Sequence, residues 1–338
     1  MRRQRADRGG GAEGAPSRAA GGVGWAGSVE STNEQVNIEH AEPAFRSGFV
    51  TVIGRPNVGK STLVNRLVRR KVSIVSDRPQ TTRTQIRGVR TTDSQQVVFL
   101  DTPGVHKPRT LLGERTNERA VSTLAEVDVV CFLVEADAAI GPGDRFVADL
   151  VGRVDTPVIA IVNKVDRAGA HDIAARLASV AELGDFAAFV PLSARTGDGV
   201  DALIAEIGAR LPEGPHYYPD GVVTDQPETF LVAELVREKL LAITRDELPH
   251  SIAVTTEDVE ERETAHGPVL ALRVIVRVER ESQKGIVIGK GGAVMKQVGT
   301  EARREIEALL GVRVHLETHV KVEPDWQRRA HSLDRLGL

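Results

Sequence analysis

Gly54-Arg55-Pro56-Asn57-Val58-Gly59-Lys60-Ser61 fits G-x-x-x-x-G-K-[ST], the spacing of a phosphate loop. Gly54 and Gly59 let the backbone turn tightly with its amides pointing inward. Polyphosphate oxygens then meet N–H groups from Asn57 and Val58 through Thr62, at the start of the following helix. Lys60 adds a charge between the β- and γ-phosphates, and Ser61 offers a hydroxyl to Mg²⁺. By itself the octapeptide also fits a glycine turn in an ordinary α/β domain, so its neighbours matter.

Three downstream segments carry chemistry for the same ligand. Asp101-Thr102-Pro103-Gly104 supplies a carboxylate for the Mg²⁺ shell and, at Gly104, an amide for a γ-phosphate. Asn163-Lys164-Val165-Asp166 suits guanine. The Asp166 carboxylate can accept from both the N1–H and the 2-amino group, whereas adenine has an acceptor at N1 and no amino group there. Asn163 can bridge base and phosphate loop, and the Lys164 stem can cover a ring face. In Ser193-Ala194-Arg195 the small residue lets a backbone N–H reach the guanine O6. Between loop and carboxylate lies the polar stretch Val72 to Arg83, with Asp77-Arg78-Pro79-Gln80-Thr81-Thr82-Arg83, in the place of a switch segment. Thr82 is the expected Mg²⁺ ligand beside Ser61 and Asp101, with Thr81 as second choice.

These segments act together only if one end of a sheet gathers them. Each follows an apolar run: Phe49–Ile53, Val97–Leu100, Val158–Val162 and Phe189–Leu192, with Val129–Val134 as a further run. Uninterrupted apolarity is the mark of strands covered on both faces. Helical periodicity in Leu63–Val68, Ile173–Leu177 and Val200–Leu211 alternates with them. The expectation is an α/β domain over residues 47–212, a mostly parallel sheet with helices on both faces and a ligand at the strands' carboxyl ends.

Pro212 to Pro219 breaks the pattern, and residues 213–228 read as a linker. Over 229–338 the period changes. Leu231 to Ile243 repeats as a helix, while Leu270–Val278 and Val312–Val322 alternate as half-buried strands, giving an α+β domain. Within it, Gly289-Lys290-Gly291-Gly292 matches the G-x-x-G loop of a KH domain of type II. A nucleic-acid backbone can approach where side chains are missing, at a helix N-terminus. Ile286 and Ile288 can line an apolar groove under the bases, and Lys284, Lys290 and Lys296 concentrate positive charge on an otherwise balanced domain.

A hydrophobic content of 41% with 27% charged residues places the chain among ordinary globular proteins, and no apolar run is long enough to span a bilayer. The net charge of −3 excludes a bulk polycation that coats nucleic acid. Aromatic residues, at 4%, are too sparse for stacking platforms to dominate recognition. Cys131, the single cysteine, lies in an apolar run as a core thiol and suits a reducing, cytoplasmic compartment. Residues 1–46, rich in Gly, Ala, Arg and Ser, read as a disordered extension.

Taken in order, G-R-P-N-V-G-K-S, Q-T-T-R, D-T-P-G, N-K-V-D and S-A-R resemble the Era family of translation-factor-related GTPases. The resemblance covers residues 47–338, including Val320-Lys321-Val322-Glu323-Pro324-Asp325-Trp326, where Trp326 is expected in the core. It implies GTP hydrolysis to GDP and phosphate with Mg²⁺, at a slow intrinsic rate, because Val105 stands where Ras-like proteins carry a water-orienting glutamine. It also implies K⁺ near Asn57, as in related cation-activated GTPases. The implied partner is single-stranded RNA near the 3′ end of small-subunit ribosomal RNA, with roles in 30S assembly and rRNA maturation. A monomer, cytoplasmic and able to visit the inner membrane peripherally, completes that picture. Two other readings fit parts of the chain. One is a different ribosome- or tRNA-modifying GTPase, for which neither a second G domain nor a catalytic C-terminal cysteine is seen. The other is an RNA tether whose nucleotide is structural.

Overall fold

The computed structural model describes residues 44–78, 81–104, 110–245, 248–265 and 267–338. In the first domain β1 (Arg46–Ile53), α1 (Lys60–Val68), β2 (Ile86–Thr91), β3 (Gln95–Asp101) and α2 (Leu111–Thr123) lead into β4 (Val129–Glu135) and α3 (Pro142–Val151). There follow β5 (Val158–Asn163), α4 (Ala170–Ala181), β6 (Ala188–Pro191) and α5 (Val200–Arg210). The six strands pair in the order β2-β3-β1-β4-β5-β6, all parallel except the β2–β3 hairpin.

The apolar runs are buried on both sides. In β4, Val129, Cys131 and Leu133 enter one core cluster, while Val130, Phe132 and Val134 enter the cluster on the opposite face. The Cys131 thiol lies in that core, where burial pushes its pKa up to about 12. Because β1 pairs with β3 on one side and β4 on the other, successive connections leave it in opposite directions. This opens a crevice at its carboxyl end, where the glycine-rich loop sits.

The second domain runs α6 (Glu228–Ile243), α7 (Leu248–Ser251), β7 (Ala253–Thr264), β8 (Gly267–Val278), α8 (Glu281–Ile288), α9 (Ala293–Leu310), β9 (Val314–Val322) and α10 (Ala330–Arg335). Its sheet has the order β7-β8-β9, antiparallel then parallel. Val298, Ala302 and Ile306 recur every fourth residue along α9 and are fully buried against Leu272, Val274 and Val276 of β8. Trp326 is buried and donates its indole N–H to the Ser251 carbonyl at 3.0 Å.

Four features differ from the sequence expectation. Strand β7 has no counterpart in it, since Glu257, Asp258, Glu260, Glu261 and Glu263 hide the period of a solvated edge strand. The last strand begins at Val314, leaving Val312 exposed in the turn. The first begins at Arg46, inside the segment read as tail, of which residues 1–43 lie outside the described residues. Residues 213–228 are also no loose tether. Gly214 N–H donates to Phe45 at 3.1 Å, the Gln96 side chain accepts from Tyr217 N–H at 2.7 Å, and Val89 N–H donates to Val223 at 2.9 Å.

Candidate functional site

The loop after β1 is built by backbone conformation and by its own lysine. Gly59 has φ of +102°, and a Cβ there would collide with the Asn163 amide, so only glycine fits. Lys60 is buried and donates to the carbonyls of Gly54 at 3.1 Å and Arg55 at 3.0 Å, folding the loop around its ammonium. Burial pulls the Lys60 pKa down to about 8 even though Asp101 favours the charge. Helix α1 begins at Lys60 with no side-chain cap and no acidic residue in its first turn, leaving its N–H groups and positive dipole end for an anion. Gly54 and Val58 are buried beneath the loop, so both serve through the backbone.

A cleft of about 360 Å³ opens above, lined by Asn57, Gly59, Lys60, Ser61 and Thr62 and by Gly104, whose Cβ position lies 3.1 Å from Lys60 Nζ. Three hydroxyls and a carboxylate meet beneath it. Ser61 Oγ lies 3.0 Å from Thr82 Oγ1, Thr82 Oγ1 lies 3.4 Å from Asp101 Oδ2, and Ser73 Oγ donates to the same oxygen at 2.6 Å. Asp101 is fully buried and its Oδ1 has no hydrogen-bond partner. Burial raises its pKa, against hydrogen bonds from Ser73, Ser61 and Thr82 and the charge of Lys60. An orphaned carboxylate oxygen beside two hydroxyls is a hard-oxygen donor set of the kind Mg²⁺ takes, and the residues fit that ion. The hydroxyl of Thr81, the second choice, donates instead to the Arg78 carbonyl at 2.6 Å.

Asn163 fastens the other end of the cleft. Buried, it donates to the Val58 carbonyl at 2.8 Å and accepts from Ala194 N–H at 3.0 Å. Lys164, in the left-handed region at φ +67°, reaches back to the Asn57 carbonyl at 2.9 Å. Asp166 accepts from Ser193 Oγ at 2.5 Å and pairs with Arg195 at 2.5 Å. The Ser193 hydrogen bond and the Arg195 guanidinium hold its carboxyl below the ordinary range. Both oxygens therefore have partners, so a base reaches Asp166 only as Arg195, 68% exposed, swings aside. All the expected cleft residues lie at this one edge, Asp166 and Ser193 behind its wall. Val105 lies outside the described residues.

Sequence reasoning missed several positioning residues. Ser73 orients Asp101, and Glu135, closing β4, pairs with both Arg55 and Lys164 and so ties phosphate loop to base end. Its place at the end of an apolar strand was the available signal.

In the second domain Gly289, Gly291 and Gly292 all have positive φ, at 76°, 61° and 79°. Gly292 begins α9 with no side-chain cap, and no acidic residue occupies the first turn. Lys290 and Lys296 are exposed, Lys284 and Ile288 half-buried, and Ile286 is 60% exposed while Val287 between them is in the core. The loop thus presents an uncapped helix N-terminus, two exposed ammonium groups and an apolar side chain together on the surface.

The switch segment lies on this domain. Arg83 is buried and donates to the carbonyls of Ile252 at 2.6 Å, His250 at 3.0 Å and Pro249 at 3.2 Å, with its guanidinium 5.5 Å from the Trp326 ring centre. Arg78 donates to Thr244, Glu238 accepts from Val75 N–H and pairs with Lys71, and Arg237 donates to Thr81. Leu111 and Leu112 of α2 pack with Leu333 of α10, and Arg115 pairs with Asp334.

Residues 49–164 match the family model of a 50S ribosome-binding GTPase, and residues 247–327 match that of a KH domain. GTPase Era of Mycobacterium avium is 52% identical over 297 residues, 87% of this chain and 99% of that protein. GTPase Era of Mycobacterium tuberculosis is 52% identical over 298 residues, again 87% and 99%. Among solved structures, Era in complex with MgGDPNP and nucleotides 1506–1542 of 16S ribosomal RNA is 37% identical with a TM-score of 0.81, covering 87% of this chain and 99% of that one. An Aquifex aeolicus Era variant bound to GDP and AlF4⁻ has the same identity and coverage and a TM-score of 0.83. No helix among the described residues is long and apolar enough to cross a membrane. With cleft, switch segment and G-x-x-G loop in the expected order, and with this identity over nearly the whole length of its relatives, the chain belongs to the Era family of GTPases.

Proposed function

We propose that the chain is a guanine-nucleotide switch whose KH domain binds the 3′ end of small-subunit ribosomal RNA, assisting 30S assembly and rRNA maturation. The domains in this reading are 47–212, a strap at 213–228, and 229–338. GTP or GDP lies with its phosphates on the amides of residues 57 to 62 and on Lys60 and with its base between Lys164 and Ala194, read by Asp166; the γ-phosphate of GTP lies against Gly104. Ser61, Thr82 and Asp101 would hold Mg²⁺, which would supply charge neutralisation for the phosphates. The Asn57 amide donates its nitrogen to the Asp77 carbonyl at 2.7 Å, which leaves its oxygen for a K⁺ ion at the phosphates. RNA lies on Gly289 to Gly292, with Lys284, Lys290 and Lys296 against its phosphates and Ile286 and Ile288 under its bases.

The observation that carries the reading is the adjacency of Thr82 and Arg83. One residue completes the oxygen cluster with Ser61 and Asp101, while the next is fastened to the carbonyls of Pro249, His250 and Ile252. A segment that moves when the γ-phosphate is lost must also change its hold on the KH domain. By linkage, RNA then favours one nucleotide state. Affinity for the 3′-terminal small-subunit RNA, measured with GTP analogue, with GDP and without nucleotide, tests this. Different affinities are expected; equal ones remove the switch and leave an RNA tether. Vesicle co-sedimentation and light scattering test peripheral membrane association and the monomeric state.

A further inference from the structure

Ser73, whose hydroxyl donates to the Asp101 carboxylate, is held from two sides. From within its own domain, Asn65 of α1 accepts from the N–H groups of Val72 and Ser73 at 2.8 and 2.9 Å and donates to the Ser73 carbonyl at 2.7 Å. From the second domain comes Glu238 of α6, which is buried. Its Oε1 accepts from Val75 N–H at 2.9 Å and its Oε2 from Lys71 Nζ at 2.6 Å, so one carboxylate grips the chain two residues to either side of Ser73. Lys239 Nζ, 3.1 Å from Oε2, is its third partner.

A cavity of about 270 Å³ lies beside this segment, with Val72, Ile74, Leu231, Leu235 and Leu309 among its walls. Apolar packing between the domains is therefore incomplete here, and the polar grip carries more of the contact. Glu305 of α9 reaches the same Lys71 at 2.7 Å and otherwise Lys239, with no hydrogen bond to the backbone of residues 71–75 among the described residues. We propose that Glu238 is a positioning residue for the metal corner: by fixing Lys71 and Val75 from the second domain, it holds the Ser73 hydroxyl on Asp101 and so orients that carboxylate. This role presupposes Ser61, Thr82 and Asp101 as the Mg²⁺ corner. Groups hydrogen-bonded behind a ligating carboxylate fix its orientation, and their loss ordinarily lowers metal affinity by roughly ten- to a hundredfold.

The test titrates the full chain with a fluorescent, non-hydrolysable GTP analogue, once with Mg²⁺ and once in EDTA, and the ratio of the two affinities reads the contribution of the metal. Glu238→Ala should lower that ratio about tenfold and leave affinity in EDTA within about twofold of the parent. Ser73→Ala should lower it as much, and the double variant no further than Ser73→Ala alone, because one residue acts through the other. Glu238→Gln keeps a single oxygen where two served, so it should lower the ratio about threefold, and it replaces the alanine variant if that fails to fold. Glu305→Gln breaks an ion pair to the same lysine across the same interface and should leave the ratio unchanged. A ratio unchanged in the Glu238 variants overturns the proposal. So does an equal loss in Glu305→Gln, which would make the effect one of domain docking, or a double variant in which the two losses multiply. A parent that gains nothing from Mg²⁺ would instead remove the metal corner itself, and this role with it.

Discussion

Replacing Asp166 by Asn keeps the shape of the base end and inverts half of its hydrogen-bonding character. Two hydrogen bonds from guanine to an ionised carboxylate contribute about 1.5–3 kcal/mol each. The gain is offset by the loss of the Arg195 pair, and with a guanidinium 68% exposed that pair contributes at most about 1 kcal/mol. An asparagine retains one acceptor for N1–H, at about 1 kcal/mol, and turns its NH₂ toward the 2-amino group, donor to donor. The net loss is about 2–4 kcal/mol, or roughly 30- to 1,000-fold in affinity. Xanthine has a 2-oxo group that accepts from the new amide, so preference should invert. The Ser193 hydroxyl, 2.5 Å from Oδ1, can serve the amide oxygen equally, so folding should be unaffected. Titrating fluorescent GDP and XDP against both proteins reads the result. GDP affinity within about threefold of the parent, or XDP bound no more tightly than before, would show that Asp166 does not read the base.

Proton linkage at Lys60 follows from its burial. Free of nucleotide, its pKa is about 8 against an ordinary 10.5, so between those values the folded protein holds fewer protons than the unfolded chain. Stability of the nucleotide-free protein should therefore rise as pH climbs through that window, while below it the buried charge is a constant cost. A polyphosphate restores the charge, so GDP binding near pH 9 should take up roughly one proton and near pH 7 almost none; calorimetry in buffers of differing ionisation enthalpy decides, and buffer-independent heats near pH 9 would contradict the assignment. Thr82→Ala should weaken Mg²⁺-dependent binding of a GTP analogue about tenfold, whereas Thr81→Ala, which only releases the Arg78 carbonyl, should change it little. Equal effects from the two would remove Thr82 from the metal corner. In the G-x-x-G loop, Gly291→Asp is the milder substitution: a φ of +61° costs some strain, but its Cβ meets nothing within 4 Å, whereas one at Gly289 would lie 2.5 Å from Val294. It should lower RNA affinity about tenfold or more and leave GDP binding intact; unchanged RNA affinity would refute the assigned loop.

The short motifs were legible because their chemistry is local. A phosphate loop is a matter of φ angles at Gly59 and of amides within eight residues, and a strand covered on both faces needs an unbroken apolar run, as in Val129 to Val134. The order of the motifs, each behind such a run, was enough to assemble the cleft. Strand β7 stayed hidden because its exposed acidic residues owe their place to pairing with β8 and to no apolar period of their own.

Sequence by itself thus determined what each segment can bind, since glycine spacing, a terminal carboxylate or a run of apolar residues acts over a few bonds. Tertiary structure alone decided which groups meet. Thr82 rather than Thr81 faces Asp101, Arg195 pairs with the Asp166 carboxylate, and Arg83 and Arg237 come together in the interior across 154 residues of chain. Such pairings depend on distances between segments remote in sequence, and side-chain charge and burial acquire their energetic meaning only once those distances are set.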